Sequence, residues 1–312
     1  MERPDEHAVT VLGGDVEGGG GHDQPDGPTW LWLNGAVLPA EQARVAALDH
    51  GITVGDGVFE TMKVIGGRPF ALGRHLRRLR RSAAALDLTV PLDDRQLASA
   101  VEEAVAAVER DVASGQRPVA GRVRITVTGG PGPLGSDRFE VPATVLVAAS
   151  PAPPWPLTTA VATVPWVRNE RGALAGVKST SYAENVKALT VAHRAGASEA
   201  IFANTVGALC EGTGSNVFVV IDGRLLTPTL ASGCLAGITR ELLLEMVEAT
   251  ETDGLRLGDL ALAEEAFLTS STRDVQAIAN VDGVALPTPC PGPFTRAATE
   301  AFAALQERHL DP

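Results

Sequence analysis

Four prolines in six residues, Pro151-Ala152-Pro153-Pro154-Trp155-Pro156, limit how this 312-residue chain can fold more than any other stretch. Proline lacks a backbone N–H and fixes φ, so such a run neither continues a helix nor sits inside a sheet. It reads as a stiff connector. The chain therefore divides into a smaller N-terminal unit, residues 29–150, and a larger C-terminal unit, 157–312, joined by 151–156. Both are long enough to enclose an apolar core. Residues 1–28 are rich in Gly, Asp, Glu and Pro and hold too little apolar content to order themselves, so they read as a disordered leader.

Periodicity then sketches the elements. Trp30-Leu31-Trp32-Leu33 followed by Asn34-Gly35 predicts a hairpin, with Asn-Gly as its turn. A strand is expected over 58–65. Leu72, Leu76, Leu79, Ala83 and Leu86 recur at helical spacing, leaving Arg74, Arg77, Arg80 and Arg81 for a solvated face. A second helix is expected over 94–112, and strands over 122–128 and 143–149. The glycine-rich loop 129–136 between them lacks the lysine and the following helix of a phosphate cradle. Beyond the connector, strands are expected over 160–167, 200–204, 217–221 and 267–270, and helices over 182–194, 241–250 and 295–309. No internal repeat is present. The alternation predicts an α+β fold of two unequal units.

Composition excludes several classes of function. Acidic residues outnumber basic ones by 38 to 26, a net charge of −12, which argues against nucleic-acid binding by the arginine-rich helix. Cys210, Cys234 and Cys290 show no metal-like pairing, and their odd number suits reduced thiols, so no metal site is expected. No apolar run approaches the ~18 residues of a membrane helix, and no secretory leader opens the chain. These features predict a cytoplasmic protein with neither membrane nor nucleic-acid partners.

Chemistry concentrates where lysine is retained. Only Lys63, Lys178 and Lys187 interrupt an otherwise all-arginine set of basic side chains. Arginine keeps its proton, whereas lysine can lose it, and only a neutral amine attacks a carbonyl. Lys178 follows an apolar approach and precedes Ser179, Thr180 and Ser181, with Tyr182 four residues on. Lys187 falls on the exposed part of a helix. Further along, Glu211 stands in a Gly/Ser/Thr turn, and residues 235–240 open a helix whose free N–H groups make an anion site. A Schiff-base lysine, a carboxylate and a phosphate-binding helix start, in that order, are what a pyridoxal phosphate (PLP) site requires.

Six segments carry a family resemblance: Gly55-Asp56-Gly57-Val58-Phe59-Glu60-Thr61, His75-Leu76-Arg77-Arg78-Leu79, Val177-Lys178, Glu211-Gly212-Thr213-Gly214-Ser215-Asn216, Gly237-Ile238-Thr239-Arg240 and Phe267-Leu268-Thr269-Ser270-Ser271-Thr272. In this order the chain resembles the class IV (fold type IV) PLP-dependent enzymes over about residues 30–312. That group includes branched-chain and D-amino-acid aminotransferases and 4-amino-4-deoxychorismate lyase. The resemblance implies the D-amino-acid aminotransferase-like fold, with PLP between the two units, and a homodimer.

It assigns Lys178 as the catalytic lysine bound to PLP and Arg78 as the phosphate arginine. Glu211 would face the pyridine nitrogen and Tyr182 the ring hydroxyl. Ser215, Asn216, Gly237, Ile238, Thr239, Ser271 and Thr272 would complete the cofactor site. Phe59, Lys63 and Arg168 are implied as substrate-side residues. The position before Gly55, often Tyr in relatives, is Val54, which alters a pocket wall. The carboxylate-binding Arg that D-amino-acid aminotransferases carry near Gly129 is absent. The implied activity is amino transfer between an amino acid and a 2-oxo acid. The alternatives are release of pyruvate and 4-aminobenzoate from aminodeoxychorismate, and a non-catalytic PLP-binding protein.

Overall fold

The computed structural model describes residues 27–111 and 119–312; the expected leader and the end of the second helix at residue 112 lie mostly outside them. The N-terminal half runs β1 (Trp30–Leu33), β2 (Ala36–Pro39), α1 (His50–Thr53), β3 (Gly57–Ile65), β4 (Arg68–Pro69), α2 (Leu72–Ala85), α3 (Asp94–Arg110), β5 (Arg122–Thr128) and β6 (Thr144–Ser150). Its strands form one antiparallel sheet in the order β2-β1-β6-β5-β3-β4. Asn34 and Gly35 take positive φ at the β1–β2 turn, as a tight hairpin demands. On β5, Val123, Ile125 and Val127 enter the core with Leu76, Leu79, Leu97 and Val101 of α2 and α3, while Arg122, Arg124 and Thr126 face the other way.

The C-terminal half runs β7 (Thr158–Arg168), α4 (Ala183–Arg194), β8 (Glu199–Asn204), β9 (Leu209–Gly212), β10 (Asn216–Ile221), β11 (Arg224–Pro228), α5 (Ile238–Met246), β12 (Thr250–Thr252), β13 (Glu265–Ser270), β14 (Asp274–Val281), β15 (Val284–Ala285) and α6 (Pro293–Arg308). These strands make a second sheet, ordered β12-β11-β10-β13-β14-β7-β8-β9, with β15 on β14. The β14–β7, β7–β8 and β11–β12 pairs are parallel and the rest antiparallel. Ala188 and Ala192 of α4 pack on Ala162, Val164 and Phe202 of the sheet. Phe218 and Phe267 stack at 4.9 Å and pack with Leu242 of α5 and Phe302 of α6. Glu265 on β13 caps α6, accepting from the N–H groups of Phe294 and Thr295.

The fold is α+β, as the alternation predicts, with several local corrections. Glu211 stands on the short strand β9 rather than in a turn. Helix α5 starts at Ile238, three residues before the expected position, and ends at Met246, where Val247 turns extended, while 250–252 pair with β11. Two of the four α2 arginines expected on a solvated face are tied down. Arg74 pairs with Glu241 and Glu245 of α5, and Arg80 bonds Asp94 and the Leu92 carbonyl.

Candidate active site

The two halves meet along the backbone of residues 178–181. The Phe59 N–H donates to the Lys178 carbonyl at 3.0 Å, and the Thr180 N–H donates to the Gly57 carbonyl at 2.8 Å. Thr180 and Ser181 hydroxyls both donate to the Gly55 carbonyl, at 2.9 and 3.0 Å. The Lys178 N–H donates to Ser82 Oγ on α2. A side chain at Gly55, whose φ is +69°, would sit 2.7 Å from Ser181 Oγ, so close approach and backbone shape both require glycine there.

Beside this seam lies a cavity of about 540 Å³. Lys178 projects into it, its Nζ 4.3 Å from the centre of the Phe59 ring and 3.5 Å from Tyr182 Oη. Burial, reinforced by the Arg78 charge, lowers its pKa to about 8, so a substantial fraction is neutral near physiological pH. Burial and the nearby Glu211 push the Tyr182 hydroxyl up to about 12, which keeps it a neutral donor. Phe59 and Tyr182 meet edge to face at 5.0 Å.

Glu211 lines the cavity from β9. Its Oε2 accepts from the Leu235 N–H at 2.9 Å, and its Oε1 is 3.2 Å from Arg168 Nε. Burial raises its pKa, and the Arg168 charge opposes that rise. Arg168 lines the cavity, but its charge is engaged by Glu211 and, at 3.4 Å, by Glu184.

The opposite end is formed by the α5 N-terminus, where Gly237, Ile238 and Thr239 line the wall and no side chain caps the helix. A Cβ on Gly237 would lie 1.9 Å from Asn216 Oδ1, so backbone and Asn216 fill that space together. Ser215, Asn216, Ser271 and Thr272 also line the cavity, next to Thr269, whose buried Oγ1 has no hydrogen-bond partner among the described residues. These features fit PLP. Uncapped N–H groups and Arg78 suit a phosphate, and Glu211 suits a ring nitrogen.

Arg78 is held by residues the motif reasoning left without a role. On β3, Val58, Met62 and Val64 face the core, and Glu60 stands in the same row. Its carboxylate receives Arg78 Nε and Nη2 at 2.7 and 2.6 Å and His75 Nδ1 at 2.7 Å. Burial alone would raise the Glu60 pKa, but Arg78 and His75 outweigh it and bring it down to about 2. Burial lowers the His75 pKa, so a neutral ring gives its Nδ1 proton to Glu60 and presents Nε2 to Ser271 Oγ, 3.4 Å away. A carboxylate in an apolar strand row, opposite a helix carrying His and Arg, was the available signal.

Arg124 was also missed. It neighbours Thr61 across the β3–β5 ladder, lines the cavity, and lays its guanidinium on Phe59 at 3.6 Å. The alternation of β5 places it on the cavity side and would have found it. By contrast, Lys63 does not line the cavity; one step further along β3, it pairs with Asp274. Val54 is exposed and does not line it either.

The family profile described as Amino-transferase class IV matches residues 57–281, and the chain belongs to this family. A putative branched-chain-amino-acid aminotransferase of Methanocaldococcus jannaschii is 31% identical over 292 residues, 89% of this chain and 96% of that protein. A D-alanine aminotransferase of Listeria monocytogenes is 29% identical, covering 86% and 93%, and an aminodeoxychorismate lyase of Bacillus subtilis 27%, covering 90% and 94%. Among solved structures, the branched-chain aminotransferase of Thermoproteus uzoniensis with norvaline superposes with TM-score 0.79 at 29% identity, covering 89% of this chain and 95% of that one. A T.th. branched-chain aminotransferase with pyridoxamine 5'-phosphate gives 0.78 at 27%, covering 90% and 95%. Enzymes of this family use PLP, and this chain is one of them. No helix among the described residues is long and apolar enough to cross a membrane, and no group of three or more potential metal ligands occurs there.

Proposed function

We propose that this chain transfers an amino group between an amino acid and a 2-oxo acid. The observation that carries this is a buried amine, Lys178, 3.5 Å from Tyr182 Oη in a cavity also lined by Glu211 and Arg124, its pKa lowered by burial to about 8. When bound, PLP supplies an aldehyde that takes up the substrate's amino group and a ring that accepts electrons from the α-carbon. Lys178 would attach the cofactor and, once freed, its neutral amine would carry the proton to and from the substrate's α-carbon. Glu211, supported by Arg168 and the Leu235 N–H, would hold the ring nitrogen protonated. Tyr182 would donate to the ring hydroxyl. The α5 N-terminus and Arg78 would hold the phosphate, with Ser215, Asn216, Ser271 and Thr272 around it.

Arg124 serves the substrate. Arg78 is committed to Glu60, and Arg168 to Glu211, whereas the Arg124 side-chain bond described is to the Thr126 hydroxyl at 3.3 Å. Its fork is available to a substrate carboxylate, with Phe59 as the apolar floor beside it. Lys63, bound to Asp274, is left out of the substrate site.

A second reading is aminodeoxychorismate lyase, favoured by the Bacillus subtilis relative. Incubation with aminodeoxychorismate and with amino acids plus 2-oxo acids separates the two. Amino transfer that requires a 2-oxo acid supports the first reading, and pyruvate released without any acceptor supports the second. A cofactor spectrum unmoved by all donors would indicate a non-catalytic PLP-binding protein.

The same proposal takes residues 151–156 as the boundary between units 29–150 and 157–312. It takes the working form as a cytoplasmic homodimer. Exposed Val45, Leu48, Ile52 and Leu134 support a dimer; they lie on neighbouring segments joined by the Gly132 N–H to Leu48 carbonyl bond. Sedimentation of the holoenzyme tests it.

A further inference from the structure

Two loops close the cavity around its cofactor end: residues 213–215 between β9 and β10, and residues 271–273 between β13 and β14. Beneath them lies a carboxylate outside the cavity lining. Glu199, at the start of β8, is 1% exposed. Its Oε1 accepts from the Thr213 N–H at 3.0 Å and from the Thr213 hydroxyl, and its Oε2 accepts from Ser215 Oγ at 3.1 Å. The loop rests so closely on it that a Cβ at Gly212 would meet Ser215 Oγ at 2.4 Å and Glu199 Cγ at 3.1 Å.

The charge of Glu199 is met from the other loop. Arg273 Nη2 lies 3.2 Å from Glu199 Oε2. Arg273 also donates to Gln276 Oε1 at 2.7 Å and to the Ser198 carbonyl at 3.2 Å, and its guanidinium lies 3.9 Å from the centre of the Trp155 ring in the connector. Gln276 in turn donates to the Pro156 carbonyl at 2.8 Å. One buried ion pair thus joins the loop that follows Glu211 to the turn that carries Ser271 and Thr272, and both to the proline-rich connector.

We infer that Glu199 and Arg273 are positioning residues that fix the spacing of the two cofactor-holding loops, although neither lines the cavity. Because a buried pair is held rigidly only while both charges are present, the loops move as one unit with the pair and separately without it. This rests on the cavity being the PLP site.

The test compares wild type, Arg273→Met, Glu199→Gln and the double variant. Each is read by PLP titration of the apo protein, by circular dichroism of the bound cofactor and by thermal melting. Expected are at least tenfold weaker PLP binding and a changed cofactor dichroism in each single variant, with the double variant no weaker than the worse single one. The inference is overturned if melting temperatures fall while PLP affinity and dichroism stay as in wild type. It is equally overturned if the two losses multiply in the double variant. Should Arg273→Met not fold, Glu199→Gln, which removes one charge of the pair and keeps the side-chain shape, is read alone against the first of these outcomes. A wild-type protein that takes up no PLP would instead overturn the reading of the cavity.

Discussion

At the scale of single residues, two titrations set the behaviour of the site. Lys178 has its pKa lowered from 10.5 to about 8 by burial. In the cofactor-free protein the folded state therefore gains stability as pH rises from about 8 to about 10.5, where the unfolded chain still holds the proton and the folded one does not. An amine-selective reagent should label Lys178 with a rate that rises around pH 8. Lys178→Ala should lose activity by roughly 10³-fold or more, measured as amino transfer under saturating PLP. Glu60 runs the other way, from 4.5 down to about 2. Its contribution is complete above pH 4.5 and is lost as pH falls toward 2, on the order of 3 kcal/mol. Glu60→Gln should flatten that stretch of the acid-unfolding profile while leaving the profile above pH 5 parallel to wild type. The lysine was legible in the sequence because the chain is so poor in Lys. Glu60 was overlooked, because the apolar row of β3 was read without pairing its one carboxylate with the His75 and Arg78 of the helix that follows.

Among the elements, long periodic segments were easy to read and short ones were not. The helical spacing of Leu72, Leu76 and Leu79 predicted α2, the family resemblance of His75-Leu76-Arg77-Arg78-Leu79 pointed to Arg78, and the Asn34-Gly35 pair predicted the first hairpin. Strand β9, four residues of Leu-Cys-Glu-Gly without alternation, carried no such signal, so Glu211 looked like a turn residue. Helix α5 was placed late because its first turn, Ile238-Thr239-Arg240, has no capping side chain to mark the start. That missing cap is what leaves its N–H groups for an anion. Gly237 has an ordinary helical-entry φ of −69°, so its intolerance is purely steric. Gly237→Ala drives a methyl into Asn216 Oδ1 and should cost about 1–3 kcal/mol in melting experiments. PLP affinity, read by titration, should drop with it.

Across the whole molecule, residues far apart in sequence hold the cofactor end together. Ala71 enters α2 at φ +56° with no side-chain cap. The tail supplies the partners: the Ala71 N–H donates to the Leu310 carbonyl, the Gly73 N–H to Asp311 Oδ1, and Arg74 Nε to the Pro312 carbonyl. Arg74 also grips Glu245 of α5 at 2.8 Å. The start of α2, the flank of α5 and residues 310–312 thus form one junction behind Arg78. Removing residues 310–312 should cost about 1–3 kcal/mol of stability, and PLP binding should weaken, both measurable by melting with and without cofactor. None of this junction was visible beforehand, because tertiary caps leave no local pattern.

The seam along residues 178–181 bears on how such chains can be recombined. The ladder from Phe59 and Gly57 to Lys178 and Thr180 crosses between the halves, and a Cβ at position 55 would lie 2.7 Å from Ser181 Oγ. A hybrid assembled from two parents by swapping at the proline-rich stretch would inherit one edge of this ladder from each. Such hybrids should retain their reactive amine in register only when the two parents carry the same residues at 55–59 and 178–181.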